Sequence, residues 1–115
     1  MKVLAVGVMV LVQDLDRSVE FYKNVLRLTL VDEMSDWALF QEGVMLQLNP
    51  YPDTAIQYDS STVVMSLVVE DFALACKHLE EHEADFISRP EPGSTEQAAI
   101  ICDVDGNVIQ ISSVS

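Results

Sequence analysis

The segment Val10–Leu15 (VLVQDL) decides the fold, because the segment Leu67–Phe72 (LVVEDF) repeats its pattern about half a chain later. In both segments an apolar run that is typical of a buried strand stops at an aspartate, and an amphipathic stretch follows. A second pair, Gly43–Leu48 (GVMLQL) and Gly106–Ile111 (GNVIQI), repeats in the same order. The repeats predict two copies of one module.

Each copy is predicted to follow the order β-α-β-β-β. In the first copy we expect strands at 3–12, 28–32, 37–41 and 44–48, and a helix that begins at Asp14 or Asp16. In the second copy we expect strands at 62–69, 84–88, 98–102 and 108–112, a helix at 71–82 and a tight hairpin at Asp105-Gly106. The only plausible linker is 49–61, so one domain, 1–115, is predicted to contain modules at about 1–56 and about 57–115.

Composition narrows the class of protein. A chain of 115 residues that is 50% apolar can build one core without disulfides. Its net charge of −13 argues against nucleic acid and anionic membranes as partners, since these need clustered Lys and Arg. Cys76 and Cys102 are expected to be reduced thiols of a cytoplasmic protein. The apolar start at 3–12 is shorter than the ~20 residues of a membrane span and has no signal-peptide cleavage site, so we interpret it as a buried strand.

Two motifs carry a resemblance to a known family: Val12–Tyr22 (VQDLDRSVEFY) and Asp103–Ile111 (DVDGNVIQI). The first resembles the strand–Asp–helix entry, and the second the Asp-x-Asp-Gly-Asn hairpin, of the vicinal oxygen chelate superfamily. This superfamily includes glyoxalase I, bleomycin-resistance proteins and extradiol dioxygenases. The resemblance implies an α+β fold whose two βαβββ modules form curved mixed sheets around a cleft, with the helices on the outer face. It also implies a homodimer.

In the metal-dependent branches of that family, four strands supply the metal ligands. The resemblance places those positions on Gly7, Gln47, Val64 and Gln110. Gly and Val have no side-chain donor, and neutral amides are weak ligands beside imidazole, carboxylate or thiolate. The stretches 1–12 and 61–69 contain no His, Asp, Glu or Cys, so no shift of register supplies a ligand there. We therefore expect neither a metal nor another cofactor.

Strand alternation predicts which side chains share a face with these four positions. One of the two alternating sets Trp37/Leu39 and Ala38/Phe40 should join them, and an aromatic residue from each set is kept as a candidate. The predicted ligand-binding residues are Gly7, Met9, Trp37, Phe40, Met45, Gln47, Asn49, Val64, Ser66, Gln110 and Ser112. An apolar surface with a few neutral hydrogen-bonding groups is typical of a small-molecule site, although the same side chains could simply fill the space between the sheets. The set contains no strong base or nucleophile, so no catalytic residue is predicted.

One further motif could bind metal. The segment His78–His82 (HLEEH) fits the His-x-x-Glu-His pattern of some zinc hydrolases. It lies on the predicted covering helix, so an exposed helix face is the expected interpretation, with adventitious zinc or nickel binding left open.

The functional prediction is a metal-free protein that binds a small organic molecule. A cationic or aromatic compound is favoured because the negative charge would attract a cation. Two alternatives remain open: a glyoxalase-like lyase, isomerase or dioxygenase that uses a divalent metal, and an interaction module with a filled cleft.

Overall fold

The structure is a computed structural model that describes residues 1–49 and 64–113. The chain divides into two compact units, Met1–Ala55 and Ile56–Ser115. Each unit contains a four-stranded mixed sheet and one α-helix, in the order β-α-β-β-β. The predicted α+β class and the repeated module are therefore confirmed. Apart from Asn49, the predicted linker at 49–61 lies outside the described residues, as does the start of the strand predicted at 62–69.

The first unit is built on a sheet with the strand order β1-β4-β3-β2. Its elements are β1 (Val8–Val12), α1 (Leu15–Glu20), a π-helical continuation (Phe21–Val25), β2 (Leu30–Glu33), β3 (Trp37–Phe40) and β4 (Val44–Leu48). Strand β1 runs parallel to β4, and the other neighbours are antiparallel.

The start of β1 corrects one prediction. The strand predicted at 3–12 begins only at Val8, and the side chains of Val3, Leu4 and Val6 are exposed. The register explains the difference, since Val8 pairs with Val44, the first residue of β4. Residues ahead of Val8 extend beyond the strand that could pair with them.

The second unit repeats this arrangement with the strand order β5-β8-β7-β6. Its elements are β5 (Met65–Val69), α2 (Phe72–Glu81), β6 (Asp85–Ser88), β7 (Ala98–Cys102) and β8 (Val108–Ser113). Strand β5 is parallel to β8, and the other pairs are antiparallel. The two units therefore share one topology, as the repeats predict.

The repeated aspartates have the same local role in both units. The Asp14 side chain accepts a hydrogen bond from the Arg17 backbone N–H at 3.2 Å, and Asp71 accepts one from Leu74 at 3.1 Å. Both aspartates have extended backbone torsions at the N-cap position, where such a bond satisfies an N–H that the helix leaves unpaired. Of the two predicted caps for α1, Asp14 is the one used.

The core of each unit lies between its helix and one face of its sheet. In the first unit the rings of Phe21 and Tyr22 meet edge to face at 5.6 Å, and those of Tyr22 and Phe40 lie 6.2 Å apart. The buried apolar residues of the second unit are Leu79, Ala99, Ile101, Ile109 and Ile111. Neither helix in the described part of the chain is long and apolar enough to span a membrane.

The hairpin between β7 and β8 is larger than predicted. Instead of a tight turn at Asp105-Gly106, a loop spans residues 103–107 and is organised by the buried side chain of Asp103. Its Oδ1 accepts from the backbone N–H groups of Asp105 (2.9 Å) and Asn107 (2.8 Å), and its Oδ2 accepts from the Asn107 amide (2.9 Å). Gly106 has a φ of +88°, which favours glycine.

One carboxylate outside the core of the first unit, that of Glu42, predicts that the stability of the protein depends on pH. Glu42 accepts hydrogen bonds from the Thr29 backbone N–H (2.9 Å) and hydroxyl (3.1 Å). The backbone bond is the main reason that the pKa of Glu42 lies below its ordinary value of 4.5. The hydrogen bonds of ionised Glu42 therefore stabilise the fold fully when the pH is above 4.5. This stabilisation is lost as the pH falls through the lower pKa that Glu42 has in the folded protein.

We expect Glu42→Gln to lower the free energy of unfolding by about 0.5 kcal/mol at pH 7, because the pair is exposed and screened by solvent. The difference from the original protein should shrink below about pH 4. Urea unfolding of both proteins between pH 3 and pH 7 measures it. A difference that is constant across this range would contradict the assignment.

Candidate functional site

The candidate surface of the first unit is the sheet face opposite α1. Residues that pair across neighbouring strands point to the same side of a sheet, so the register defines this face. Met9 pairs with Met45, Leu11 and Trp37 both pair with Gln47, and Leu39 pairs with Met45. Met9 is 57% exposed and Leu39 is 38% exposed, which leaves this apolar face open to a ligand.

The two predicted aromatic residues do not share this face. Trp37 lies on it, half-buried, whereas Phe40 is 1% exposed and contacts Tyr22 on the helix side. Phe40 is thus a core residue, and the prediction that it lines the site is wrong. Leu39 takes that place, and alternation from Trp37 was the signal that identifies it.

Gln47 is the polar group on this face whose orientation is best defined. Its side-chain Nε2 donates to the backbone carbonyls of Asp36 (3.1 Å) and Leu48 (3.3 Å). Both protons of the amide nitrogen are therefore used by the protein, and the Oε1 atom is the end that can accept a hydrogen bond from a ligand.

Two predicted residues lie at the ends of these strands. Asn49 follows β4 and donates its backbone N–H to the Val12 carbonyl at 2.8 Å. Gly7 precedes β1, and a Cβ atom there would lie 3.3 Å from the Gly43 carbonyl oxygen. The backbones approach closely here, so a larger side chain at this position would require the Gly43 carbonyl to shift by a few tenths of an ångström.

The candidate surface of the second unit is built in the same way. Ser66 and Ile100 both pair with Gln110, while Val68 and Ala98 pair with Ser112. Val64 precedes β5 in the same alternation, and Val64 and Val68 are 48% and 61% exposed. The predicted residues Val64, Ser66, Gln110 and Ser112 therefore do share one face of this sheet.

Gln110 has the opposite orientation to Gln47. The Ser66 hydroxyl donates to the Gln110 Oε1 atom at 3.4 Å. This contact uses the carbonyl end, so the Nε2 atom is the end that can donate to a ligand. The two glutamines thus offer an acceptor in the first unit and a donor in the second.

The four positions implied by the family resemblance do not fit a divalent metal. Gly7 and Val64 offer no side-chain donor, and the neutral amide oxygens of Gln47 and Gln110 are weak ligands without imidazole, carboxylate or thiolate partners. Over residues 1–49 and 64–113, no three His, Cys, Asp or Glu side chains come close enough to hold a metal ion. We derive no chemical step through a metal.

The His78 and His82 side chains lie against each other at the end of α2. Their ring centroids are 4.1 Å apart, and Nδ1 of His82 lies 2.9 Å from the His78 carbonyl oxygen. The pair therefore makes local contacts at a helix terminus. This placement agrees with the helix-face interpretation of the zinc-like motif.

The two cysteines are free thiols in different surroundings. Burial, followed by Glu80, raises the pKa of Cys76, and burial, followed by Asp85 and Asp103, raises the pKa of Cys102. Both thiols thus stay protonated at neutral pH and are poor nucleophiles.

Comparison with known proteins shows which family shares this architecture. The model of the Glyoxalase/Bleomycin resistance protein/Dioxygenase superfamily matches residues 5–111. A search of curated protein sequences finds no match.

Solved structures resemble the chain over its full length. A protein of unknown function from Agrobacterium tumefaciens str. C58 has a TM-score of 0.82 at 20% identity, covering 100% of this chain and 97% of that chain. The fosfomycin resistance protein FosX from Listeria monocytogenes has a TM-score of 0.75 at 12% identity, with 100% and 96% covered. Lactoylglutathione lyase from Agrobacterium tumefaciens has a TM-score of 0.71 at 15% identity, with 99% and 96% covered. At these identities the likeness shows the fold alone. Because the family model spans nearly the whole chain, the protein belongs to the Glyoxalase/Bleomycin resistance protein/Dioxygenase superfamily.

Proposed function

We propose that the protein binds a small organic molecule on the sheet faces opposite its helices, without a metal. The observation that carries the proposal is the character of these faces. Each face combines exposed apolar side chains, Met9 in the first unit and Val68 in the second, with one glutamine whose orientation is held by hydrogen bonds within its own unit. Such a combination of apolar surface and a few oriented polar groups suits recognition of a compact ligand.

The chemistry of the proposed ligand follows from charge and shape. With a formal net charge of −13, the protein attracts cations over distances of about a Debye length. Methionine and tryptophan side chains suit a flat, apolar or aromatic body. We therefore propose an aromatic cation that the protein sequesters rather than chemically changes.

Calorimetry and thermal shift with a panel of cationic aromatic compounds test the proposal. The protein is purified without a histidine tag and treated with EDTA. We expect saturable binding that survives EDTA. Replacing Gln47 or Gln110 by alanine should weaken it about fivefold to tenfold, as loss of one hydrogen bond does. Gln41→Ala, in the exposed turn after β3, is the matched control and should bind as the original protein does.

Two results would overturn this function. Binding that disappears with EDTA, together with stoichiometric zinc, nickel, manganese or iron, would favour the metal-dependent lyase, isomerase or dioxygenase. No stabilisation by any compound in the panel would favour an interaction module.

We extend the proposal to assembly and location. A homodimer is supported by the exposed apolar side chains of Val3, Leu4 and Val6 beside the edge strand β1, since such a patch is commonly covered by a second chain. A cytoplasmic location is supported by the two cysteines, which are not joined to each other.

A further inference from the structure

A groove on the helix side of the second unit lies apart from the faces discussed so far. This α2 groove has a volume of about 650 Å³, within the range of small-molecule sites. It is lined by α2 and its N-terminal approach, by Phe86 of β6 and by the segment 89–97 that leads towards β7. Phe86 pairs with the buried Ile101, which places its ring on the helix side of the sheet, away from Gln110.

The floor of the α2 groove is apolar. Phe72 and Cys76 lie one helical turn apart on α2, and Phe86 and Pro90 complete the floor. All four side chains are half-buried, so each keeps part of its surface open to a ligand. The groove can therefore hold the apolar body of a small molecule.

The groove already contains one cation, which belongs to the protein. The Arg89 guanidinium lies 4.0 Å above the centre of the Phe86 ring and forms an ion pair of 2.6 Å with Glu80. An aromatic face beside a carboxylate is a recognised arrangement for a planar cation. About half of each of the two charged side chains is exposed, so the ion pair is weak enough to be exchanged for another.

The other charged residues that line the groove favour the binding of a cation from solution. Glu70, Asp71, Glu80 and Glu96 line the groove, and among the described residues of the lining Arg89 is the one basic residue. A cation that replaced the Arg89 side chain would form the ion pair with Glu80 in its place and would lie among the other carboxylates of the lining.

We propose that the α2 groove is a second ligand site, which binds a small arylalkyl guanidinium or amidinium at the position of the Arg89 guanidinium. The ligand's planar cation stacks on Phe86 and pairs with Glu80, while its aromatic part lies against Phe72 and Pro90. The released Arg89 side chain moves into solvent. This site does not depend on the proposed function of the sheet faces.

The two cysteines report the two sites separately. Cys76 lines the α2 groove, whereas Cys102 lies in strand alternation with Ile100 on the face that carries Gln110. We therefore measure maleimide labelling of each thiol by peptide mass spectrometry, with benzylguanidinium as the probe. We expect a saturating probe to slow labelling of Cys76 at least about threefold. Protection of Cys102 would instead report binding to the sheet face, so the two proposals can fail independently.

Three variants test the proposal by the direction in which the affinity for the probe should change. Arg89→Ala removes the competing internal cation and should make the probe bind about threefold to fivefold tighter, an effect that a damaged fold would not produce. Glu80→Gln should weaken binding by a similar factor. Glu81→Gln, on the same helix but outside the lining, should leave it unchanged. Unchanged Cys76 labelling at millimolar probe, or weaker binding after Arg89→Ala, would overturn the site.

Discussion

Replacing Phe40 by alanine is expected to lower the free energy of unfolding by about 3–5 kcal/mol, the usual range for a phenylalanine removed from a closed core. The side chain is 1% exposed, and its ring lies 6.2 Å from that of Tyr22, which is fully buried. The helix side of the first sheet would lose both transferred apolar area and close packing. Urea unfolding at pH 7 measures the change.

The neighbouring Leu39 is the matched control for Phe40. It is 38% exposed on the opposite face of the same strand, so Leu39→Ala should lower the free energy of unfolding by less than about 1 kcal/mol. Under the proposed function it should nevertheless weaken ligand binding. Equal losses of stability in the two variants, or a larger loss for Leu39→Ala, would contradict the observed faces of β3.

Asp103→Ala should give the second large loss, about 3 kcal/mol or more. Asp103 is 3% exposed, and its carboxylate receives hydrogen bonds from the backbone N–H groups of Asp105 and Asn107 and from the Asn107 side-chain amide. Alanine would leave those half-buried donors without this acceptor, and each such loss is worth about 1–3 kcal/mol. The loop 103–107 would then no longer hold β7 and β8 in register.

Two further variants test whether the loss of stability comes from the hydrogen bonds that Asp103 accepts. Asp103→Asn keeps one oxygen acceptor for the backbone groups and should lose less stability than alanine does. Asp85→Ala removes an exposed carboxylate from β6 and should change the free energy of unfolding by less than about 0.5 kcal/mol. If Asp103→Ala were as mild as Asp85→Ala, the loop would not depend on this side chain.

The local signals in the sequence predicted most of the fold. Aspartate caps, apolar periodicity and turn residues act over a few positions, so they can be read without knowing distant contacts. They placed β4 at Val44–Leu48 and β7 at Ala98–Cys102 as observed, and α2 within one residue at each end. The repeat then predicted that the helices and strands follow the same order in both units.

The candidate site was predicted less completely, for a physical reason. Alternation along one strand defines two faces, but only pairing with a neighbour decides which of them faces the helix. Alternation puts Trp37 and Phe40 on opposite faces, but the register Trp37–Gln47 was needed to decide that Trp37 shares the face of Gln47. The orientations of Gln47 and Gln110 likewise depend on Asp36 and Ser66, which are distant in sequence.

The sequence by itself determined that this chain is a repeated βαβββ module whose helices begin at aspartates, Asp71 in the second copy and Asp14 or Asp16 in the first, because caps and periodicity are local. It also determined that two of the four family metal positions, Gly7 and Val64, have no side-chain donor. Only the tertiary structure decided that Phe40 is core, that Gly7 lies against the Gly43 carbonyl and that Asp103 organises its hairpin. It also brought Arg89, Phe86 and Glu80 together. Those facts depend on contacts between segments that only folding brings together.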